Sequence, residues 1–256
     1  MRVKRFGKIF ILAVFFLPFF VEISFASNNQ DVGAFNRANV YYEQGNFDEA
    51  IKQYKSIVED GLESGNLYYN LGNCYFKKGK LGEAIFYYEK ARRLIPQDKD
   101  LESNYEYARS LIKGGTFSSQ ESFPVRLWNN LFEKLTIDGL TLALSIFFIS
   151  ILISILASLF FAPLKKQALI LTAFLGLCFV VGLIGLKGKI SRLNKEAIVV
   201  VEQADAKFEP MEKATTYFTL YDGMKVEVVE SRDNWHKVKR QDNKSGWVRY
   251  GTISTF

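Results

Sequence analysis

Asparagine and tyrosine return at an interval of 34 residues near the start of the chain: Asn36/Asn70, Asn39/Asn73, Tyr41/Tyr75 and Tyr54/Tyr88, with Asn104 a further 34 after Asn70. A carboxamide both donates and accepts hydrogen bonds, so a row of them suits holding a peptide backbone; the bland use is to satisfy neighbouring helix ends or water. Bond-breaking chemistry has little to work with. His236 is the single histidine, its neighbours offering neither triad nor metal spacing, and reads as an ordinary strand residue. Cys74 lies in a polar segment and Cys178 inside an apolar run, so no disulfide framework is expected. The chain also lacks a phosphate-cradling glycine loop and paired carboxylates. Recognition is therefore the expectation, without catalysis, metal or cofactor.

The elements that must position these side chains follow from the same interval. Gly45/Gly79, Glu49/Glu83, Ala50/Ala84 and Ile51/Ile85 share it, and a 34-residue period of this kind is the signature of stacked helix–turn–helix units. Ala38/Gly72 and Ala50/Ala84 are small where two helices approach, Tyr41/Tyr75 and Tyr54/Tyr88 fill the space beside them, and Gly45 and Gly79 fall where one helix must stop. Pro96 ends the second unit. The spacing predicts an all-α domain over 27–113, with repeats at about 31–64 and 65–98 and a capping helix at 99–113. Two units are fewer than such solenoids normally need, so this one is expected to lean on another surface.

These residues resemble the tetratricopeptide repeat (TPR), most closely in Tyr69-Asn70-Leu71-Gly72-Asn73-Cys74-Tyr75 through Gly79, Ala84, Tyr88, Ala91 and Pro96. The first copy departs from the pattern at Arg37 and has no closing proline. The resemblance implies a concave peptide-binding groove at Phe35, Asn36, Asn39, Tyr42, Tyr69, Asn70, Asn73, Phe76, Lys77 and Asn104. Phe35 and Tyr69 stand where a clamp for a carboxylate terminus would place lysine.

Two apolar runs, 140–162 and 168–186, are each long enough to cross roughly 30 Å of hydrocarbon and are separated by a loop at 163–167. They predict a transmembrane hairpin, which returns the chain to the side it left. Ser150, Ser154, Ser158 and Ala162 form one stripe of small residues, and Ala168, Thr172 and Gly176 another, suited to close helix packing within the hairpin or against a partner's spans. No ionisable residue interrupts either run, so no ion path is expected. In the linker 114–139, Leu127, Trp128, Leu131, Phe132 and Leu135 have helical spacing. They predict an interfacial helix or an extra helix packed on the solenoid.

Residues 1–26 read as a secretory signal peptide, with basic Arg2, Lys4, Arg5 and Lys8, an apolar centre and Ser24-Phe25-Ala26 before the cut. The soluble parts are then expected in the periplasm of a bacterial inner-membrane protein. Lys165 and Lys166 in the turn agree with that orientation, while Lys187, Lys189, Arg192 and Lys195 after the second span oppose it. The formal net charge of +6 is partly carried by the leader, no single-sign field remains, and nucleic acid is excluded as a partner.

After a linker at 187–196, residues 197–256 turn strand-like: Ile198-Val199-Val200-Val201, Lys225-Val226-Glu227-Val228-Val229, Trp235-His236-Lys237-Val238 and Gly246-Trp247-Val248, broken at Asp222-Gly223 and Asp242-Asn243-Lys244. They predict a small all-β barrel. This segment resembles the bacterial Src-homology-3 (SH3) domain through Pro210, Phe218-Thr219-Leu220, Gly223, Lys225-Val226, Trp235, Val238 and Gly246-Trp247-Val248. The resemblance implies an aromatic groove with Tyr221, Trp235, Trp247 and Tyr250 as candidates, although Trp235 and Trp247 also suit a core. The family's Val-Arg-x-x-Pro turn reads Ala206-Lys207-Phe208-Glu209-Pro210 here.

The fold class is thus a multidomain membrane protein: an all-α tetratricopeptide-like solenoid, a two-helix transmembrane hairpin and a small Src-homology-3-like barrel. This order resembles the BatE-like members of the Bacteroides aerotolerance (Bat) operon family. That resemblance implies a membrane-anchored, periplasmic protein–protein interaction scaffold in aerotolerance or envelope stress. Its implied partners are von Willebrand factor A-type Bat proteins and a MoxR-type ATPase system. The competing expectation is a peptidoglycan-binding protein that recruits an enzyme through its repeats.

Overall fold

The computed structural model describes residues 29–115, 123, 127–128, 131–132 and 135–256; the leader at 1–26 lies outside the described residues. Five helices build the first part: α1 (Asn29–Glu43), α2 (Phe47–Glu59), α3 (Gly65–Lys77), α4 (Leu81–Leu94) and α5 (Lys99–Ser110). Their ends are set locally. Asn46, Ser64 and Asp98 accept from the main-chain N–H of Glu49, Leu67 and Leu101 at the starts of α2, α3 and α5. Gly45 and Gly79 stop α1 and α3 with φ of 74° and 71°, a conformation that L side chains resist. Gly72 is tight for another reason: a Cβ there would overlap the Tyr88 ring, so the second repeat packs α3 against α4 at contact distance.

Two long helices follow, α6 (Ile137–Phe160) and α7 (Lys165–Leu193), joined by a 3-10 turn at Ala162–Leu164. Both are long and apolar enough to cross a membrane. They are longer than the apolar runs. Thr136 caps α6 through the N–H of Gly139, three residues ahead of the expected start, and α7 continues beyond Leu186 through Lys187, Lys189 and Arg192. Charge ended the apolar run without ending the helix. Ala162, expected on the small-residue stripe of the first span, falls in the turn instead. Ser154 is the point of closest contact, donating its hydroxyl to the Ala168 carbonyl and accepting from Thr172, both at 2.9 Å. Ser150 and Ser158 bond to their own helix, and nothing lies within contact distance of a Cβ built on Gly176. The hairpin therefore uses only the inner part of each stripe.

Seven antiparallel strands complete the chain: β1 (Glu196–Val199), β2 (Gln203–Lys207), β3 (Thr216–Tyr221), β4 (Lys225–Arg232), β5 (Trp235–Arg240), β6 (Ser245–Arg249) and β7 (Ile253–Thr255), in the order β3-β2-β6-β5-β4-β1-β7. Val200 and Val201 lie past the end of β1. Turns are made at Asp222-Gly223, with Gly223 at φ 83°, and at Asn243, at φ 67°. Val226, Val238 and Val248 face inward with Ile198 and Leu220. Only Asn194 and Lys195 separate α7 from β1, so the second long helix feeds directly into the sheet.

The buried residues of the helical domain and the sheet form one continuous apolar cluster, from Ala34 to Ile253. The surface on which the short solenoid leans is the barrel.

Candidate functional site

The repeated asparagines meet in a ladder that the 34-residue interval builds twice. Asn70 Nδ2 donates to Asn39 Oδ1 and to the Tyr54 hydroxyl, both at 3.2 Å, while Tyr54 donates to Asn39 Oδ1. One repeat later, Asn104 Nδ2 donates to Asn73 Oδ1 at 3.2 Å and Tyr88 donates to the same oxygen at 2.7 Å. Asn104 also reaches the Tyr69 hydroxyl at 2.7 Å. The tyrosines stand on the second helix of each pair and are buried, so each rung ties the first helices α1, α3 and α5 to one another through the core. Burial raises the Tyr54 and Tyr88 phenol pKa values well above the ordinary range, and both remain donors.

Half of each amide is used up by this ladder. Among the described residues, Asn39 Nδ2, Asn70 Oδ1, Asn73 Nδ2 and Asn104 Oδ1 have no protein partner. In chain order they read donor, acceptor, donor, acceptor. Phe35, Tyr42, Tyr69 and Phe76 are half-buried along the same helices, and Asn36 and Lys77 are exposed. Tyr107, 60% exposed, packs its ring 5.8 Å from Phe76 and extends the row onto α5. The family pattern had not singled it out, although it stands 34 residues after Asn73.

The opposite side of the solenoid is closed. Asp222 and Gly223, the turn between β3 and β4, enter the first turn of α4. A Cβ on Gly82 would overlap both Asp222 and the main chain of Val199, and one on Gly223 would lie 2.6 Å from Ile85. Burial pushes the Asp222 carboxyl pKa up, and the backbone N–H groups of Gly82, Gly223 and Leu81 offset part of the rise. Along the seam, Lys225 bridges Glu89 (3.3 Å) and Glu196 (3.1 Å), Arg93 pairs with Glu196 at 3.2 Å, and Tyr105 donates to Glu89. Burial alone would raise the pKa of Glu89, but Lys225, Arg92 and the Tyr105 hydroxyl outweigh it and hold the carboxyl at about 2. Phe256 stacks on Phe86 at 4.9 Å, with the Arg93 guanidinium 3.5 Å from the centre of the Phe256 ring.

None of these seam residues was singled out by sequence reasoning, but a signal existed. Gly82, Glu89 and Arg93 replace Asp48, Lys55 and Glu59 of the first repeat. Those are the positions where the second copy breaks ranks, and a glycine in the first turn of a helix is costly without a packing reason.

The four aromatic candidates of the barrel do not share one groove. Tyr221 lies at the seam, where a Cβ on Gly114 would come within 3.4 Å of its ring. Trp247 is buried, with the cations of Arg232 and Lys237 over its face at 5.4 and 5.8 Å. Trp235 is half-buried, and Tyr250 is exposed and lies 4.8 Å from His236. Cross-strand pairing sets Trp235 opposite Arg249 and Lys237 opposite Trp247, so Trp235, Trp247 and Tyr250 gather at one end, away from Tyr221. His236 Nδ1 lies 2.8 Å from the Ser231 hydroxyl across the hairpin. Burial pushes the Cys74 thiol up to about 12, so at neutral pH it is not a nucleophile. Among the described residues no group of His, Cys, Asp and Glu side chains could hold a metal ion.

Residues 35–99 match the tetratricopeptide repeat family, and residues 208–255 match the bacterial SH3 domain family. Over 70 residues the chain is 33% identical to Protein O-mannosyl-transferase TMTC1 of Homo sapiens, a stretch that covers 27% of this chain and 8% of that protein. The chain thus spans about 8% of the length of that relative.

Proposed function

We propose that the protein is a membrane-anchored scaffold that holds an extended segment of a partner protein along α1, α3 and α5. The observation that carries this reading is the alternation of unused amide groups, N–H on Asn39 and Asn73 and C=O on Asn70 and Asn104. An extended peptide presents C=O and N–H groups alternately, and buried tyrosines hold the amides in place before a ligand arrives. The repeat-family and SH3-family matches support interaction over catalysis.

The seam supports placing both modules on the same side of the membrane, since Glu89 and Lys225 meet across it and a two-helix hairpin returns the chain to its starting face. With an N-terminal leader that side is the periplasm. The order of modules resembles BatE-like proteins, so the partners would be the von Willebrand factor A-type proteins and the MoxR-type ATPase system of an aerotolerance complex. A photoreactive residue at Tyr107 of the full chain should form a discrete protein adduct in intact cells, lost on Asn73→Leu, while one at exposed Lys52 should not. Equal adducts from both positions, or none from Tyr107, would refute the groove.

The second reading, peptidoglycan binding, rests on Trp235 and exposed Tyr250, which the seam leaves uncovered. Co-sedimentation of the detergent-solubilised full chain with purified peptidoglycan, abolished by Tyr250→Ala, would favour it.

A further inference from the structure

The spans supply a depth scale for whatever lies beside them. From Lys165, about 20 residues at 1.5 Å each cross roughly 30 Å of hydrocarbon and reach Gly185. Counted back from Phe160, the same distance in α6 reaches Leu140. At this level other parts of the chain press on the hairpin. Phe132 fills the notch left by Gly185, where a Cβ would overlap its ring. One turn further along α7, the Lys189 ammonium donates to the main-chain carbonyls of Phe132, at 2.9 Å, and Leu135. Those carbonyls therefore have a partner that does not depend on water, the condition for entering a lipid boundary.

The side chains here are apolar and uncovered. Leu127, Leu131 and Leu135 are 52%, 61% and 42% exposed, and Trp128 stacks on Phe132 at 4.9 Å. Beside them a cleft of about 500 Å³ separates Leu94, Ile95 and Pro96, at the end of α4, from Leu135, Thr136 and Gly139, at the start of α6. This surface is continuous, at the same depth, with the outward sides of the spans, such as Ile184 at 58% exposure.

We propose that these leucines and this cleft form a third membrane contact. Leu127, Leu131 and Leu135 enter the boundary between headgroups and acyl chains, and a phospholipid chain occupies the cleft under Leu94–Pro96. The repeat–barrel unit is thereby seated on the bilayer surface, with Trp128 at headgroup level. The occupant is lipid because the hairpin already brings bilayer to this depth, and a soluble partner would have to displace it. The inference rests on the reading of α6 and α7 as spans.

Trp128 is one of three tryptophans, the others lying in the barrel, and it reports on the contact directly. The full chain is reconstituted into phosphatidylcholine vesicles whose acyl chains are brominated near the headgroup, and compared with unbrominated vesicles. Bromine should remove up to the share of emission that Trp128 carries, and Trp128→Phe should abolish that loss. Leu131→Asp should diminish it while the protein still floats with the vesicles. A protein that floats but shows no bromine quenching, or shows the same quenching in Trp128→Phe, overturns the third contact alone. A protein that fails to float overturns the spans, and the third contact with them.

Discussion

The two sides of the repeat domain are built from different chemistry. Where α4 meets the barrel, the contacts are glycines, an aromatic pair and buried charges: Gly82 against Asp222, Phe86 on Phe256, Glu89 with Lys225. Across α1, α3 and α5 the contacts are neutral amides and phenols with unused hydrogen-bonding capacity. Buried charges and interlocked glycines specify one partner and tolerate no exchange. Neutral amides facing outward lose little when left in water and can accept a succession of backbones. One side is thus suited to permanent attachment within the chain, and the other to visitors.

The largest way to break that contrast is at the seam's charges. Lys225→Met leaves Glu89 buried with one cation fewer and should cost about 3–5 kcal/mol, read as a lowered midpoint of chemical unfolding. Gly82→Leu should cost about 1–3 kcal/mol or more, because main chain as well as a side chain stands in the way; protease cutting between the domains would report it. Acid should act through the same cluster. The Glu89 carboxyl titrates at about 2 when folded against an ordinary 4.5, so its contribution is complete above the ordinary value and disappears as pH falls from there toward 2. That contribution is on the order of 3 kcal/mol. An acid titration of stability should show the loss, and Glu89→Gln should remove it.

On the other side, Asn73→Leu should cost about 1–2 kcal/mol by leaving Tyr88 and Asn104 short of an acceptor, with a much larger proportional loss of partner capture. Full retention of capture would sever the ladder from recognition. The smallest effect is expected in the hairpin. Ser154→Leu removes the bonds to Ala168 and Thr172 and should loosen helix pairing by about 1 kcal/mol, seen as reduced crosslinking between α6 and α7 in detergent.

What could be read in advance follows the range of the interactions. Gly45 and Gly79 mark turns by local backbone preference, and the 34-residue interval exposes Asn39, Asn70, Asn73 and Asn104 because each rung repeats the last. The long apolar runs declare themselves for the same reason, though their ends do not: the helix of the second span continues through Lys187 and Lys189, since charge stops partitioning and not backbone hydrogen bonding. The seam joins residues more than a hundred positions apart, such as Arg93 and Glu196, and no local preference encodes that meeting. Only the mismatch between the two repeats, at Gly82, Glu89 and Arg93, hints at it. Tyr221 illustrates the converse. Its type suits a ligand groove, yet its position beside the turn at Asp222 commits it to the seam.

The central claim is that repeats and barrel sit together on one face of the membrane, joined along α4. The most direct test places cysteines at Phe86 and Phe256, whose rings stack at 4.9 Å, in a full chain with Cys74→Ala and Cys178→Ala, and treats intact cells with a short bismaleimide. The account predicts an intramolecular link between these positions, identified by mass spectrometry, that is lost when Gly82→Leu is added. Modification of both cysteines without any link, or labelling of the two from opposite sides of the membrane, would contradict it.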